Sequence, residues 1–169
     1  MDILLVDGYN IIGAWPELIE LKKKDLASAR DRLIELMAEY QGFTGSRVIV
    51  VFDAHYVKGT EKKYKNSKVE VIFTKENESA DERIEKLAIE LNNIQNQVSV
   101  ATSDFTEQWA VFGQGALRLS ARELLTEVEI ITQSIHHSVK HYQEKKVYSK
   151  IPLTKEMAEV FEKWRRGKK

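Results

Sequence analysis

The stretch that decides the fold is Ile3-Leu4-Leu5-Val6-Asp7-Gly8-Tyr9-Asn10. Four apolar residues in a row, with no polar alternation, suit a strand covered on both faces, as in a parallel sheet. Working outward, the same kind of run recurs at Val48 to Phe52, Val69 to Phe73 and Val98 to Ala101. Helical stripes lie between them: Leu26, Ala29, Leu33, Leu36 and Tyr40, closed by Gly42, and then Ala80, Ile84, Leu87, Ala88 and Leu91. Ser79 with Glu82, and Ser120 with Glu123, have the spacing of capping boxes. The second box opens a helix through Leu124, Leu125, Val128 and Ile131, and Thr154 caps a last helix through Met157, Phe161 and Trp164. This alternation predicts an α/β domain with a mostly parallel central sheet flanked by helices. Residues 1–139 form that domain, and 140–169 a basic extension expected to pack on it.

Three of the four runs lead to an aspartate: Asp7, Asp53 and Asp104. In a parallel sheet the carboxyl ends of the strands share one edge, where open α/β domains bind ligands. Two carboxylates about 4 Å apart repel by roughly 4 kcal/mol at an effective dielectric near 20. A divalent cation removes that penalty, and an oxygen-only donor set suits Mg²⁺ or Mn²⁺. Each aspartate taken singly is equally explained as the N-cap of a following helix. Asp81 adds a fourth acid in the first turn of a helix, where the helix dipole alone would favour it. If that turn faces the crevice, Asp81 or its neighbour Glu82 completes the site.

Other chemistries lack their residues. The chain has no cysteine, which removes disulfides, thiolate zinc sites and thiol nucleophiles. There is no phosphate-binding loop, no dinucleotide fingerprint and no nucleophile elbow. His137 and His141 are four apart on an expected helix but have no third ligand nearby in sequence. The N-terminus lacks the basic start of a signal peptide, and no stretch approaches the length of a membrane span. A cytoplasmic protein is expected.

Formal charge sums to zero, from 26 basic and 26 acidic residues, which argues against binding nucleic acid by bulk charge. The zero is unevenly distributed. Residues 140–169 carry ten Lys or Arg against four Glu, a net +6, and 1–139 carry −6. A second basic cluster, Lys58, Lys62, Lys63, Lys65 and Lys68, interleaves with Tyr56 and Tyr64. Lysines hold phosphates and rings stack bases, a combination suited to single-stranded nucleic acid. A solvated loop between strands has the same composition.

Asp7-Gly8-Tyr9-Asn10, then Asp53, Ser79-Ala80-Asp81, Thr102-Ser103-Asp104, Gly115 to Arg118 and Ser120 to Leu124 together resemble NYN domains of the PIN-like nuclease superfamily. They most resemble the YacP group of bacterial ribosome-associated endoribonucleases. The resemblance spans about residues 1 to 165 and implies a PIN-like three-layer fold and a metal-dependent ribonuclease. Carried over by motif, Asp7 falls on the first metal-binding carboxylate and Asn10 on the polar residue beside it. Asp53, Asp81 and Asp104 fall on the remaining acidic positions, and Thr102 and Ser103 on the hydroxyl-bearing stretch before the last acid.

The expected activity is endonucleolytic hydrolysis of RNA, with mRNA on the ribosome as the implied substrate. Asp7, Asp81 and Asp104 are the expected ligands of Mg²⁺ or Mn²⁺, with Asp53 and Asp104 supporting the metal or orienting water, Asn10 positioning the phosphate and Glu82, Thr102 and Ser103 supporting. Lys58, Lys62, Lys63, Tyr64, Lys65, Lys68, Arg165 and Arg166 are expected to grip RNA. Metal-activated water leaves 5′-phosphate and 3′-hydroxyl ends. Two rivals are a non-catalytic RNA- or ribosome-binding module and a small-molecule phosphohydrolase using the same crevice.

Overall fold

The computed structural model describes residues 1–54, 64, 67–103, 115–148, 159, 160, 163 and 165, with the backbone alone at 141, 142 and 144–148. Among the described residues there are five strands: β1 (Asp2–Asp7), β2 (Arg47–Phe52), β3 (Glu70–Phe73), β4 (Gln97–Ala101) and β5 (Leu117–Leu119). They form one sheet in the order β3-β2-β1-β4-β5, and every pairing is parallel. Helices among the described residues include α1 (Gly8–Ile12), α2 (Pro16–Lys24), α3 (Leu26–Thr44), α4 (Ala80–Leu91) and α5 (Ala121–Tyr148). The chain divides into two compact units, Met1–Thr132 and Gln133–Lys169, with α5 running from one into the other.

Successive side chains of a strand point to opposite faces, and β1 fills both. Leu4 and Val6 join a core with α1, α2, α3 and the first turns of α5, whereas Ile3 and Leu5 join a second core with α4. On β2, Val48, Val50 and Phe52 enter the first core and Ile49 and Val51 the second. A central strand with no wet face accounts for runs without polar alternation. β3 lies at the sheet edge and is only half-buried after an exposed Glu70, so Val69 to Phe73 is less enclosed than the expectation drawn from its composition.

Several local expectations changed on folding. α3 continues through Gly42 and ends at Gly45, whose φ of 74° is the left-handed conformation that glycine supplies at a helix end. Pro16 starts α2, a helix not read from the sequence, because its acid and lysine run masks a short apolar face. β5 was likewise missed: three residues, two of them exposed, leave too little pattern to see. Both capping serines behave as expected, Ser79 Oγ accepting from the Glu82 amide at 3.2 Å and Ser120 Oγ from the Glu123 amide at 3.0 Å. The Trp15 indole donates to the Ala121 carbonyl at 2.7 Å, fastening the turn between α1 and α2 to the start of α5.

In the second unit, α5 continues to Tyr148, and Glu159, Val160, Lys163 and Arg165 are helical and exposed. Thr154, Met157, Phe161 and Trp164 lie outside the described residues. Among the described residues, no helix is long and apolar enough to cross a membrane.

Candidate active site

The strand order reverses at β1: the chain builds outward through β2 and β3, then returns to place β4 on the other side of β1. Crevices at the carboxyl ends of strands beside such a reversal are the usual ligand sites of open α/β sheets. A cleft of about 250 Å³ opens there, lined by Asp7, Tyr9, Asn10, Asp53, Ser79, Ala80 and Asp81. Three of the expected carboxylates therefore meet, each delivered by a different element.

Asp7 is the last residue of β1 and is 7% exposed. The chain turns directly from it into α1 at Gly8, where a Cβ would overlap the Phe52 ring. Asp53 follows β2, and Thr74 fixes its turn on both sides. The Thr74 amide donates to the Phe52 carbonyl at 3.0 Å, and its Oγ1 accepts from the Ala54 amide at 3.0 Å. Asp81 arrives because α4, following a parallel strand, starts at the same sheet edge. Its first turn holds both Asp81 and Glu82, but Asp81 lines the cleft and Glu82 is exposed outside it.

Asn10 ties the two sides of the reversal together. Its Oδ1 accepts from the Ser103 amide at 2.5 Å and from Ser103 Oγ at 2.6 Å. A backbone amide can only donate, so the Asn10 oxygen must face Ser103, leaving its Nδ2 as the group able to donate to a phosphate. Thr102 is fully buried, its amide donating to the Leu119 carbonyl at 3.1 Å, so it joins β4 to β5. Asp104 lies outside the described residues.

The cleft offers oxygen from three carboxylates and from the hydroxyls of Tyr9 and Ser79, a donor set that fits Mg²⁺ or Mn²⁺. Among the described residues, no three His, Asp or Glu cluster closely enough to hold an ion by themselves. Mg²⁺ commonly takes one or two carboxylates and completes its shell with water and substrate phosphate, a demand that Asp7 and Asp81 fit. His136 and His137 are exposed on α5.

The expected RNA contacts divide. Lys68 and Arg165 are exposed. Lys58, Lys62, Lys63, Lys65 and Arg166 lie outside the described residues. Tyr64 is corrected: it is a core residue, 9% exposed, with its ring on Phe73 and its hydroxyl donating to Asp31 Oδ1 at 2.6 Å. Such a ring has no face to offer a base. Burial, with the Asp31 carboxylate beside it, raises its pKa to about 12.

Two residues of the cleft escaped the sequence reading. Tyr9 sits inside the very motif quoted first, and Ser79 was visible only as a helix cap. Neither carries a charge, and charge at a strand end is what marks a metal ligand in sequence.

A five-stranded, all-parallel α/β domain with carboxylates gathered at its topological reversal defines a class, and the comparisons agree with it. Residues 4–166 match the YacP-like NYN domain, and the chain belongs to that family, which is of the nuclease type. It is 66% identical over 167 residues to the uncharacterized protein YacP of Bacillus subtilis (strain 168), covering 99% of this chain and 98% of that one. The fold is similar to the crystal structure of Rae1 (YacP) from Bacillus subtilis, with a TM-score of 0.80 at 66% identity over 99% of this chain and 96% of that chain. The W164L mutant of the same protein matches at a TM-score of 0.74 and 62% identity, with the same coverage.

Proposed function

We propose that the protein is a divalent-metal-dependent endoribonuclease acting on mRNA in association with the ribosome. The observation that carries the reading is the convergence of Asp7, Asp53 and Asp81 on one cleft at the carboxyl edge of the sheet, in a chain of this family. Asp7 and Asp81 are the residues that would hold Mg²⁺ or Mn²⁺, with Asp104 as a further ligand. When bound, the ion supplies Lewis-acid stabilisation of the charge that builds on the phosphodiester and lowers the pKa of water. Asp53, on its Thr74-braced turn, is placed to accept a hydrogen bond from an attacking water. Asn10, anchored through its oxygen, can direct its amide N–H toward a phosphate oxygen. Lys68 and Arg165, with the further lysines and arginines of the basic cluster and extension, supply phosphate contacts. Chemistry and affinity are thereby assigned to opposite charges.

The test is incubation with RNA, with and without ribosomes, in Mn²⁺ or in excess chelator. Cleavage should need the ion and leave 5′-phosphate and 3′-hydroxyl ends. A metal contributes several kcal/mol to such transition states, so Asp7→Asn and Asp81→Asn should each lower the rate by about 100-fold or more. They should leave RNA binding intact. Chelator-resistant cleavage, or 2′,3′-cyclic phosphate products, would remove the metal-hydrolysis reading. RNA binding without cleavage in any divalent ion would favour the non-catalytic module, and turnover of phosphomonoesters the phosphohydrolase.

A further inference from the structure

Arg30, on α3, is 5% exposed and has no part in the carboxylate chemistry. Its Nη1 donates to the Tyr9 hydroxyl at 3.3 Å, and the Tyr64 phenol interacts with its charge. Between those two phenols runs a row of rings. Tyr9 lies 5.0 Å from Phe52, Phe52 5.5 Å from Phe73, and Phe73 6.1 Å from Tyr64, the last two pairs stacked. Arg30 holds the Tyr9 end of the row, and the bond from Tyr64 to Asp31 secures the far one.

A buried guanidinium is a costly way to fill space. Its Nε has no hydrogen-bond partner among the described residues, and an apolar side chain would occupy the same volume without that penalty. What the guanidinium adds is a fixed place for the Tyr9 ring, and Tyr9 is the aromatic residue among those lining the cleft. The carboxylates around it repel a polyanion. An aromatic ring, by contrast, attracts the flat uncharged base next to the phosphate.

We propose that Tyr9, held by Arg30, is the platform on which a nucleobase adjoining the reacting phosphate stacks, so that the substrate is single-stranded. The proposal rests on the nuclease reading above for the word substrate, but not for the binding event. In a duplex both faces of a base are already covered by its neighbours, and no face is left for Tyr9. Arg30 acts as a positioning residue.

The test uses the full chain in chelator, so that nothing is cleaved, with a single-stranded oligoribonucleotide carrying 2-aminopurine. Stacking quenches the fluorophore. The wild-type protein should quench it fully, Tyr9→Phe only in part, because its ring has lost the bond to Arg30, and Tyr9→Leu should not, binding about 10- to 100-fold more weakly. Arg30→Met should retain binding but lose part of the quench, because the ring is present and no longer fixed. Circular dichroism of each variant separates loss of the platform from loss of the fold. One comparison needs no variant: wild-type protein should prefer the base-bearing strand over a sugar-phosphate strand of equal length and over a duplex. Equal binding of all three overturns the platform, as does a Tyr9→Leu variant that quenches like wild type. Tyr9-dependent quenching by a protein that cleaves no RNA would overturn the nuclease reading and leave the platform standing. Cleavage with no preference for a base would do the reverse.

Discussion

Replacing Gly8 with alanine tests how the cleft is built. The backbone there has no positive φ, so the glycine is required by space and not by conformation. An added Cβ would overlap Cδ1 and Cε1 of Phe52 and lie 3.0 Å from Cζ. Phe52 cannot yield, being fully buried with Tyr9 at 5.0 Å and Phe73 at 5.5 Å. The backbone must move instead, and overpacking of this kind costs about 1–3 kcal/mol. At about 2–4 °C per kcal/mol for a chain of this size, the melting temperature should fall by several degrees. Urea unfolding gives the free energy directly. Asp7 adjoins the displaced residue, and misplacing a reacting group by about 1 Å can cost 100-fold in rate. Cleavage should therefore fall further than stability. Phe52→Leu, destabilising alone, should restore part of the loss in the Gly8→Ala background, a coupling of about 1 kcal/mol or more. Gly42→Ala is the control: nothing lies within 4 Å of its added Cβ, and a helical alanine there should stabilise by about 0.5–1 kcal/mol. Gly8→Ala with wild-type stability, or no coupling to Phe52, would refute the argument.

Two further outcomes follow from the hydrogen bonds. The Tyr64 pKa is raised from 10.0 to about 12, chiefly by burial. A raised pKa favours the protonated fold, so its contribution is whole below about pH 10 and is lost as pH climbs through about 12. The stability gap between wild type and Tyr64→Phe should narrow over that interval in urea titrations, and a gap independent of pH would contradict the assignment. Asn10→Ala removes the acceptor of both Ser103 bonds. It should cost about 1 kcal/mol, since Ser103 is exposed and water can replace the partner, while lowering RNA cleavage by a larger factor. Unchanged cleavage would mean that the tie across the strand reversal does not hold the cleft.

Much of the fold was legible because buried parallel strands must be apolar on both faces. Ile3 to Val6 and Val48 to Phe52 could be little else. What escaped was short or amphipathic without contrast: β5 is three residues long, and the apolar side of α2 is hidden among lysines and glutamates. Gly42 was mistaken for a helix end because a glycine inside a helix and one after it look alike until φ is known, and only Gly45 has the positive value. Tyr64 was read with its lysine neighbours as an RNA contact, yet one residue in a basic stretch can turn inward when a ring row and a carboxylate await it.

By itself, the sequence determined which acids stand at the ends of strands. Chain connectivity then requires Asp7, Asp53 and the start of α4 to share an edge once the strands run parallel. Tertiary structure alone decided that Asp81 and not Glu82 lines the cleft, that Asn10 spends its oxygen on Ser103, and that a buried Arg30 holds Tyr9 in the cleft's lining. The reason is physical. Periodicity records which face of an element meets the core, a local property, whereas these contacts join residues up to 93 positions apart and exist only after the sheet has brought its carboxyl edge together.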